Sequence, residues 1–329
     1  MKNSVIELKN GLSQVMTYWE GTAILKEIFT IDKDGVKQGP YEEYYKSGKL
    51  KAKCTYMNDK RNGAFEEYHQ HGKIKIKCAY SNDKLDGTYE KYDYSGDLEI
   101  NCTYTNGKKN GPYKKYSCGR VEVQCTYKDD KKNELYEEYF CGWGGQKLKL
   151  RCTYSDGKLN GLYEEYDDDG HLKIQCIYEN NKKNGVYKEY NSEGKLKLKC
   201  TYNDDKLDGA YEEYDDDGHL KIQCTYENNK KNGVYKEYNS KGKLKLKCNY
   251  KKGEIEGQFL EYTEEGELLT SKIYKDSKVV ENKLNRDRKF LCELLQSLDK
   301  NQKPTQERQT TKRMIVEEYR RKYQKNKGR

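Results

Sequence analysis

Cysteine returns along this chain at Cys54, Cys78, Cys102, Cys125, Cys152, Cys176, Cys200, Cys224 and Cys248, in steps of 24, 24, 23, 27, 24, 24, 24 and 24 residues. So short and regular a period makes the fold an array of one repeated unit. Composition agrees. Of 329 residues, 33% are hydrophobic and 36% charged, with a mean hydropathy of -1.25. That is too polar for one large core. In an array each unit buries surface only against its neighbours. The 33 tyrosines supply the missing apolar area, each ring keeping a polar tip.

One unit runs from Gly161 through Tyr163, Glu164, Glu165, Tyr166, Asp167, Asp168, Asp169, Gly170, His171, Leu172, Ile174, Cys176 and Tyr178 to Asn184, and Gly185 opens the next. Leu172, Ile174, Cys176 and Tyr178 alternate with Lys173, Gln175 and Ile177, the period of a half-buried strand. Tyr163 to Tyr166 reads as a shorter strand, and Asp167 to Gly170 as a turn. The junctions Asn62-Gly63, Asp86-Gly87, Asn110-Gly111, Asn160-Gly161, Asn184-Gly185, Asp208-Gly209 and Asn232-Gly233 suit tight hairpin turns with positive φ at both central residues. Ten hairpins follow, opening at Gly39, Gly63, Gly87, Gly111, Glu134, Gly161, Gly185, Gly209, Gly233 and Gly257. Leu159 to Tyr202 and Leu207 to Tyr250 differ at five positions, the mark of a tandem duplication. The Gly111 unit is one residue short, and the Glu134 unit lacks the junction glycine and is three residues long. A bend or bulged loop is expected there.

The Gly, Tyr, Tyr, Gly, Leu, Cys, Tyr and Asn-Gly register resembles the MORN-repeat family over roughly residues 18 to 280. It is most similar to the variant group of bacteria, protists and large DNA viruses, some of whose bacterial members are antitoxin-like. The resemblance implies scaffolding, protein–protein contact or association with membrane lipids.

Regular cysteines also invite a metal or redox reading, which spacing opposes. Two strands per unit set equivalent cysteines about 9.6 Å apart. A disulfide needs Cα atoms within about 7 Å, and zinc needs its sulfurs around one point. The ladder therefore reads as core, each thiol a small buried hydrophobe. Cys118 and Cys141 fall in turns of the two irregular units, either as isolated loop thiols or as a reactive pair. His69, His71, His171 and His219 are the only histidines; the latter two share a slot after a turn glycine that lysine fills elsewhere, so it reads as solvated. Asp167-Asp168-Asp169 and Asp215-Asp216-Asp217 have the ligand type for calcium, but no bidentate glutamate follows at the right spacing. Acidic turns also form for conformational reasons alone. Neither a phosphate-binding glycine loop nor a nucleophile elbow is present. The expectation is a chain that is not an enzyme, with no catalytic residues, cofactor, metal or small-molecule substrate.

Binding surface is sought in the rows that repetition creates. Tyr163 and Tyr166, three apart, face opposite sides of a regular strand. The ladder of Tyr166, Tyr190, Tyr214 and Tyr238, with Glu164 and Glu212, is the candidate strip for a protein partner. The bland alternatives are tyrosines that only stack and Glu–Lys pairs on a solvated face, which set register. The lysines for such pairs are Lys195, Lys197 and Lys199, or Lys243, Lys245 and Lys247.

Residues 281–329 carry 15 basic and 7 acidic residues, against 49 and 48 in residues 1–280. The net charge of +9 therefore belongs to the tail. Arg320, Arg321, Lys322, Lys325, Lys327 and Arg329 cluster there, as a solvated tail or as an attraction for an anionic membrane or nucleic acid. Leu284, Phe290, Leu291, Leu294, Leu295 and Leu298 predict a helix over residues 285–299. Val5 to Trp19 reads as an irregular hairpin turning at Asn10-Gly11. Residues 1–38 are an N-terminal cap or degenerate repeat, 39–280 the array, and 281–329 a basic, partly disordered helical tail. The expected fold is an all-β, elongated single-layer antiparallel meander about 95 Å long, built from ten units at about 9.6 Å each. The start of the chain lacks a secretory h-region, and no apolar run is long enough to cross a membrane as a helix. Twelve cysteines without an export signal suggest a reducing, cytoplasmic setting. The expected function is a scaffold or adaptor. The rivals are a peripheral membrane adaptor held by the tail and an antitoxin-like inhibitor of one enzyme.

Overall fold

The computed structural model describes residues 3–8, 10–142, 145–282, Arg313, Met314 and Glu317. Twenty-five strands lie among them, from Asn3–Glu7 to Lys278–Asn282. The chain divides into two compact units, Met1–Leu207 with Asp216–Gly218, and Asp208–Asp215 with His219–Arg329. In the first, each strand from Asn3–Glu7 to Leu196–Asn203 pairs antiparallel with its neighbours in sequence. In the second, Lys206–Tyr214 pairs with Leu220–Glu227, which pairs in turn with both Lys230–Lys231 and Gly233–Tyr238, and from Gly233–Tyr238 to Lys278–Asn282 the strands again pair antiparallel in sequence order. The chain is thus an all-β antiparallel meander of hairpins. Arg313, Met314 and Glu317 are helical. The rest of the expected tail beyond residue 282, including the 285–299 helix and the basic cluster, lies outside the described residues.

Two local expectations need correction. The tight two-residue turn is not at the Asn-Gly junction but four residues earlier. Asn180 and Asn181 have φ of 51° and 70°, and Glu179 pairs with Lys182 across them. Asn58-Asp59, Asn82-Asp83, Asp204-Asp205 and Asn228-Asn229 repeat the pattern. Gly185 instead lies inside strand Lys182–Tyr190, at a bulge with φ of 103°. There Cys176 pairs with Tyr187 and Tyr178 with Lys183, so Ile177 faces three residues. Asn and Asp tolerate positive φ without being glycine, and here they also bind across hairpins. The Asp205 amide donates to the Lys183 carbonyl at 3.0 Å, and the Asp205 carboxylate accepts from the Lys183 amide at 2.7 Å. Asp83 makes the same two bonds with Arg61. Glycine in that slot, as at Gly107, keeps only the backbone bond, here to the Leu85 carbonyl.

The second correction concerns Leu172. Glu165 pairs with Ile174 but Tyr166 with Leu172, so Lys173 is an extra residue in a bulge. A bulge flips the alternation beyond it. Leu172 therefore leaves the face of Ile174 and Cys176 and joins that of Tyr166. The core confirms this in kind: Leu150 and Leu246 pack on buried cysteines and tyrosines, while Leu148 and Leu244, two residues earlier, do not join those clusters.

The buried face is a row of thiols under tyrosine rings. Cys102, Cys152, Cys176, Cys200 and Cys248 are each at most 2% exposed. Above each lies a ring pair from adjoining strands, such as Tyr163 and Tyr178 with centroids 5.4 Å apart, or Tyr187 and Tyr202 at 5.8 Å. Such pairs contribute about 0.5–1.5 kcal/mol beyond their buried area. A cation closes many of them. The ammonium of Lys183 stands 4.7 Å from the Tyr187 ring and 5.1 Å from that of Tyr202, and Lys109, Lys132 and Lys231 do likewise. Leu159 and Ile255 take this place in other hairpins. All described cysteines are free.

Candidate interaction face

The other face of the sheet is built from residues paired directly across strands, which share a side. In the first unit its central row starts Glu42, Lys53, Glu66, Lys77, Glu90, each paired with the next. It continues through Asn101, Lys114 and Gln124 to Glu137, Arg151, Glu164, Gln175 and Lys188. In the second unit the same row reads Glu212, Gln223, Lys236, Lys247, Leu260.

The carboxylates of this row are held by their neighbours. Glu137 is 6% exposed. It accepts from Gln124 Nε2 at 2.5 Å, the Tyr139 hydroxyl at 2.7 Å and Arg151 Nε at 3.0 Å. Burial would raise its pKa, but these three donors outweigh that and hold it below the usual carboxylate range. Lys53, 2.8 Å away, and the Tyr68 hydroxyl lower Glu66 in the same way.

The predicted sheet residues lie on the central-row face of their own units, Glu164, Tyr166 and Tyr190 in the first and Glu212, Tyr214 and Tyr238 in the second, though not all in one environment. The Tyr166 hydroxyl donates to Glu164 at 2.9 Å, and Gln175 Nε2 donates to the same carboxylate at 3.0 Å. In the second unit Tyr214 donates to Glu212 at 3.0 Å. Burial first, then that carboxylate, pushes the Tyr214 hydroxyl up to about 12. These rings are half-buried and their hydroxyls are committed to the face itself. Tyr190 and Tyr238 hold the equivalent position, but the residue two before each is Lys188 or Lys236. Burial, then the charge of Glu164, raises Tyr190. Arg320, Arg321, Lys322, Lys325, Lys327 and Arg329 lie outside the described residues.

Beside the central row runs a stripe that sequence inspection missed. Leu162 pairs with Ile177, and both are more than 40% exposed, as are Leu135 and Val186. In the second unit Val234 is 45% exposed. The signal was present as the residue after each junction glycine, but period-two alternation breaks at the bulge and hides its side. The cations over the tyrosine pairs were missed for the same reason.

The expected cross-strand Glu–Lys pairing within a hairpin is seen for Lys197 and Lys245, while Lys195 and Lys243 pair with the turn glutamates Glu193 and Glu265, both at 2.9 Å. Lys197 reaches Glu189 at 3.0 Å and Lys245 reaches Glu237 at 2.7 Å. In both cases the lysine is the extra residue of the bulge. The acidic turns close on themselves: Asp167 Oδ1 accepts from the amides of Asp169 and His171 at 3.0 and 2.8 Å. Among the described residues no group of three His, Cys, Asp or Glu converges as a metal would need. Cys118 and Cys141 are exposed and free. No described helix is long and apolar enough to cross a membrane.

The MORN repeat variant model matches residues 37–58, 61–82, 159–180, 183–204, 207–228 and 231–252. No curated protein matches the chain. Among solved structures, the crystal structure of TcdB2-TccC3 is 12% identical, with 80% of this chain and 17% of that chain covered and a TM-score of 0.19. A mutant Photorhabdus luminescens Tc holotoxin pore is also 12% identical, with 82% and 17% covered and a TM-score of 0.18. This chain therefore spans under a fifth of the length of either.

Proposed function

From a chain that belongs to the MORN-repeat family, we propose a non-enzymatic scaffold that holds a protein partner on the central-row face of a unit, that of Glu164, Tyr166 and Tyr190 in the first or that of Glu212, Tyr214 and Tyr238 in the second. The observation that carries this reading is the division of labour between the two faces. One is filled by thiols and tyrosine pairs. The other sets half-buried tyrosines, a charged row and exposed aliphatics side by side. Aromatic anchors among polar groups are the composition of an interface centre. A face that repeats similar surfaces suits an extended partner better than a single small substrate. The setting proposed is the cytoplasm, where the exposed thiols of Cys118 and Cys141 stay reduced.

Photo-crosslinking tests this in cells that naturally make the protein. A benzoylphenylalanine at Tyr166 or Tyr214 is expected to trap one stoichiometric protein, and one at the core position Tyr163 is not. Deleting residues 283–329 leaves the crosslink unchanged. A partner lost on that deletion but indifferent to the face positions overturns the reading in favour of a tail-held adaptor on an anionic membrane or nucleic acid. A trapped enzyme whose turnover stops on binding identifies the scaffold as an antitoxin-like inhibitor.

A further inference from the structure

Lys236 and Lys247 stand directly opposite each other on neighbouring strands of the second unit. Both lie in the central row, between Gln223 and Leu260. Like charges so placed destabilise a sheet. Elsewhere in the row cations meet carboxylates: in the first unit Lys53 meets Glu66 at 2.8 Å and Arg151 meets Glu137 at 2.9 Å. Lys188 does face Lys199, but Lys199 is engaged in a further interaction. Among the described residues neither Lys236 nor Lys247 forms an ion pair. The hydroxyl of Tyr238 belongs to the same group. In the hairpin of Tyr214 the equivalent hydroxyl is occupied by Glu212, whereas Lys236 stands where that carboxylate would be. Val234, 45% exposed, adjoins Lys236 along the strand face, and Leu260 adjoins Lys247 across it.

Two cations and a hydroxyl donor flanked by aliphatic side chains complement a carboxylate with an apolar neighbour. We propose that the Lys236–Lys247 pair is the docking point for an extended acidic segment of a protein partner. A carboxylate sits between the two ammonium groups, and an adjoining apolar side chain lies on Val234 or Leu260. This rests on the scaffold reading and adds the chemistry of the partner. The destabilisation built into the empty face is relieved when the segment binds, since an opposite charge then separates the two like ones.

The test uses the full chain and a fluorescein-labelled hexaglutamate peptide, read by anisotropy at low ionic strength. Lys236→Glu recreates the Glu212–Tyr214 arrangement, so it is expected to fold and to melt no lower than the parent. It should weaken peptide binding by about tenfold. Lys247→Gln is expected to weaken it in the same direction without a charge reversal. Lys278→Glu makes the same change of charge on the last strand and is expected to leave binding within about twofold. Equal losses for Lys236→Glu and Lys278→Glu overturn the proposal, as does an unchanged affinity for Lys236→Glu and Lys247→Gln. Phosphatidylserine vesicles run in parallel: if their binding depends on Lys236 as strongly as the peptide's, the site is for a lipid surface and the proposal fails. None of these failures alters the crosslink at Tyr166, so the scaffold reading is judged separately.

Discussion

Gly161 and Glu134 hold the same position in two hairpins and show what that position demands. Gly161 has φ of 112°, and a Cβ there would run into Thr153 Oγ1, which donates to the Asn160 carbonyl at 2.6 Å. Gly185 has φ of 103°, but its Cβ would meet only an Ile177 methyl at 3.7 Å. Both alanine substitutions force an L residue into positive φ, which costs about 1–2 kcal/mol. Only Gly161→Ala adds overlap. Urea unfolding should therefore show Gly161→Ala as the more damaging, with Thr153→Ala in the same chain removing the difference. Glu134 has φ of 66°, drawn towards the left-handed helical well that a side chain tolerates best. Glu134→Gly should stabilise by about 1 kcal/mol in the same assay.

A hairpin is fastened on its buried side by tyrosines and on its rim by an ion pair. Glu43–Lys51, Glu67–Lys75, Glu138–Lys149, Glu165–Lys173 and Glu213–Lys221 lie between 2.6 and 3.1 Å. In two adjacent hairpins the signs are exchanged, as Lys91–Glu99 and Lys115–Glu122, both at 2.8 Å. The geometry therefore asks for opposite charges and is indifferent to their order. Such exposed pairs contribute about 0.2–1 kcal/mol. Glu165→Lys should destabilise by about 0.5 kcal/mol, and Lys173→Glu in the same chain should recover it. A double-mutant cycle in low salt measures the coupling, which should shrink in 1 M salt as the Debye length falls to about 3 Å.

Across the molecule, the repeated burial of one ionisable pair makes alkali the natural denaturant. Burial pushes the thiols of Cys54, Cys78, Cys125, Cys152, Cys176, Cys200 and Cys248 from 9.0 up to about 11. Burial, then the adjoining thiols, also lifts Tyr127, Tyr154 and Tyr202 from 10.0 to about 12. These folded-state values lie above the unfolded ones, so the unfolded chain releases protons first. Stability is full below about pH 9 and is lost as pH rises towards 11 and 12. Urea midpoints followed by circular dichroism should stay level from pH 7 to about 9 and then fall steeply. A midpoint level to pH 11 would mean that the thiols are not buried as a row.

The 24-residue period, the strand alternation about Cys176 and the turn at Gly170 were legible because each depends on neighbours in sequence. The same text misplaced the tight turn, which it set at Asn184-Gly185, because Asn-Gly suits a bulge as well as a hairpin turn. Only the pairing of Glu179 with Lys182 separates the two. It also placed Leu172 on the wrong face, since an extra residue is invisible until the opposing strand is in register. The role of Lys183 over two tyrosines, and the confrontation of Lys236 with Lys247, arise between strands that pair across turns and bulges. Periodicity is a local property that a linear text preserves. Which side a residue faces is counted across bulges, and it becomes defined when neighbouring backbones exchange their hydrogen bonds.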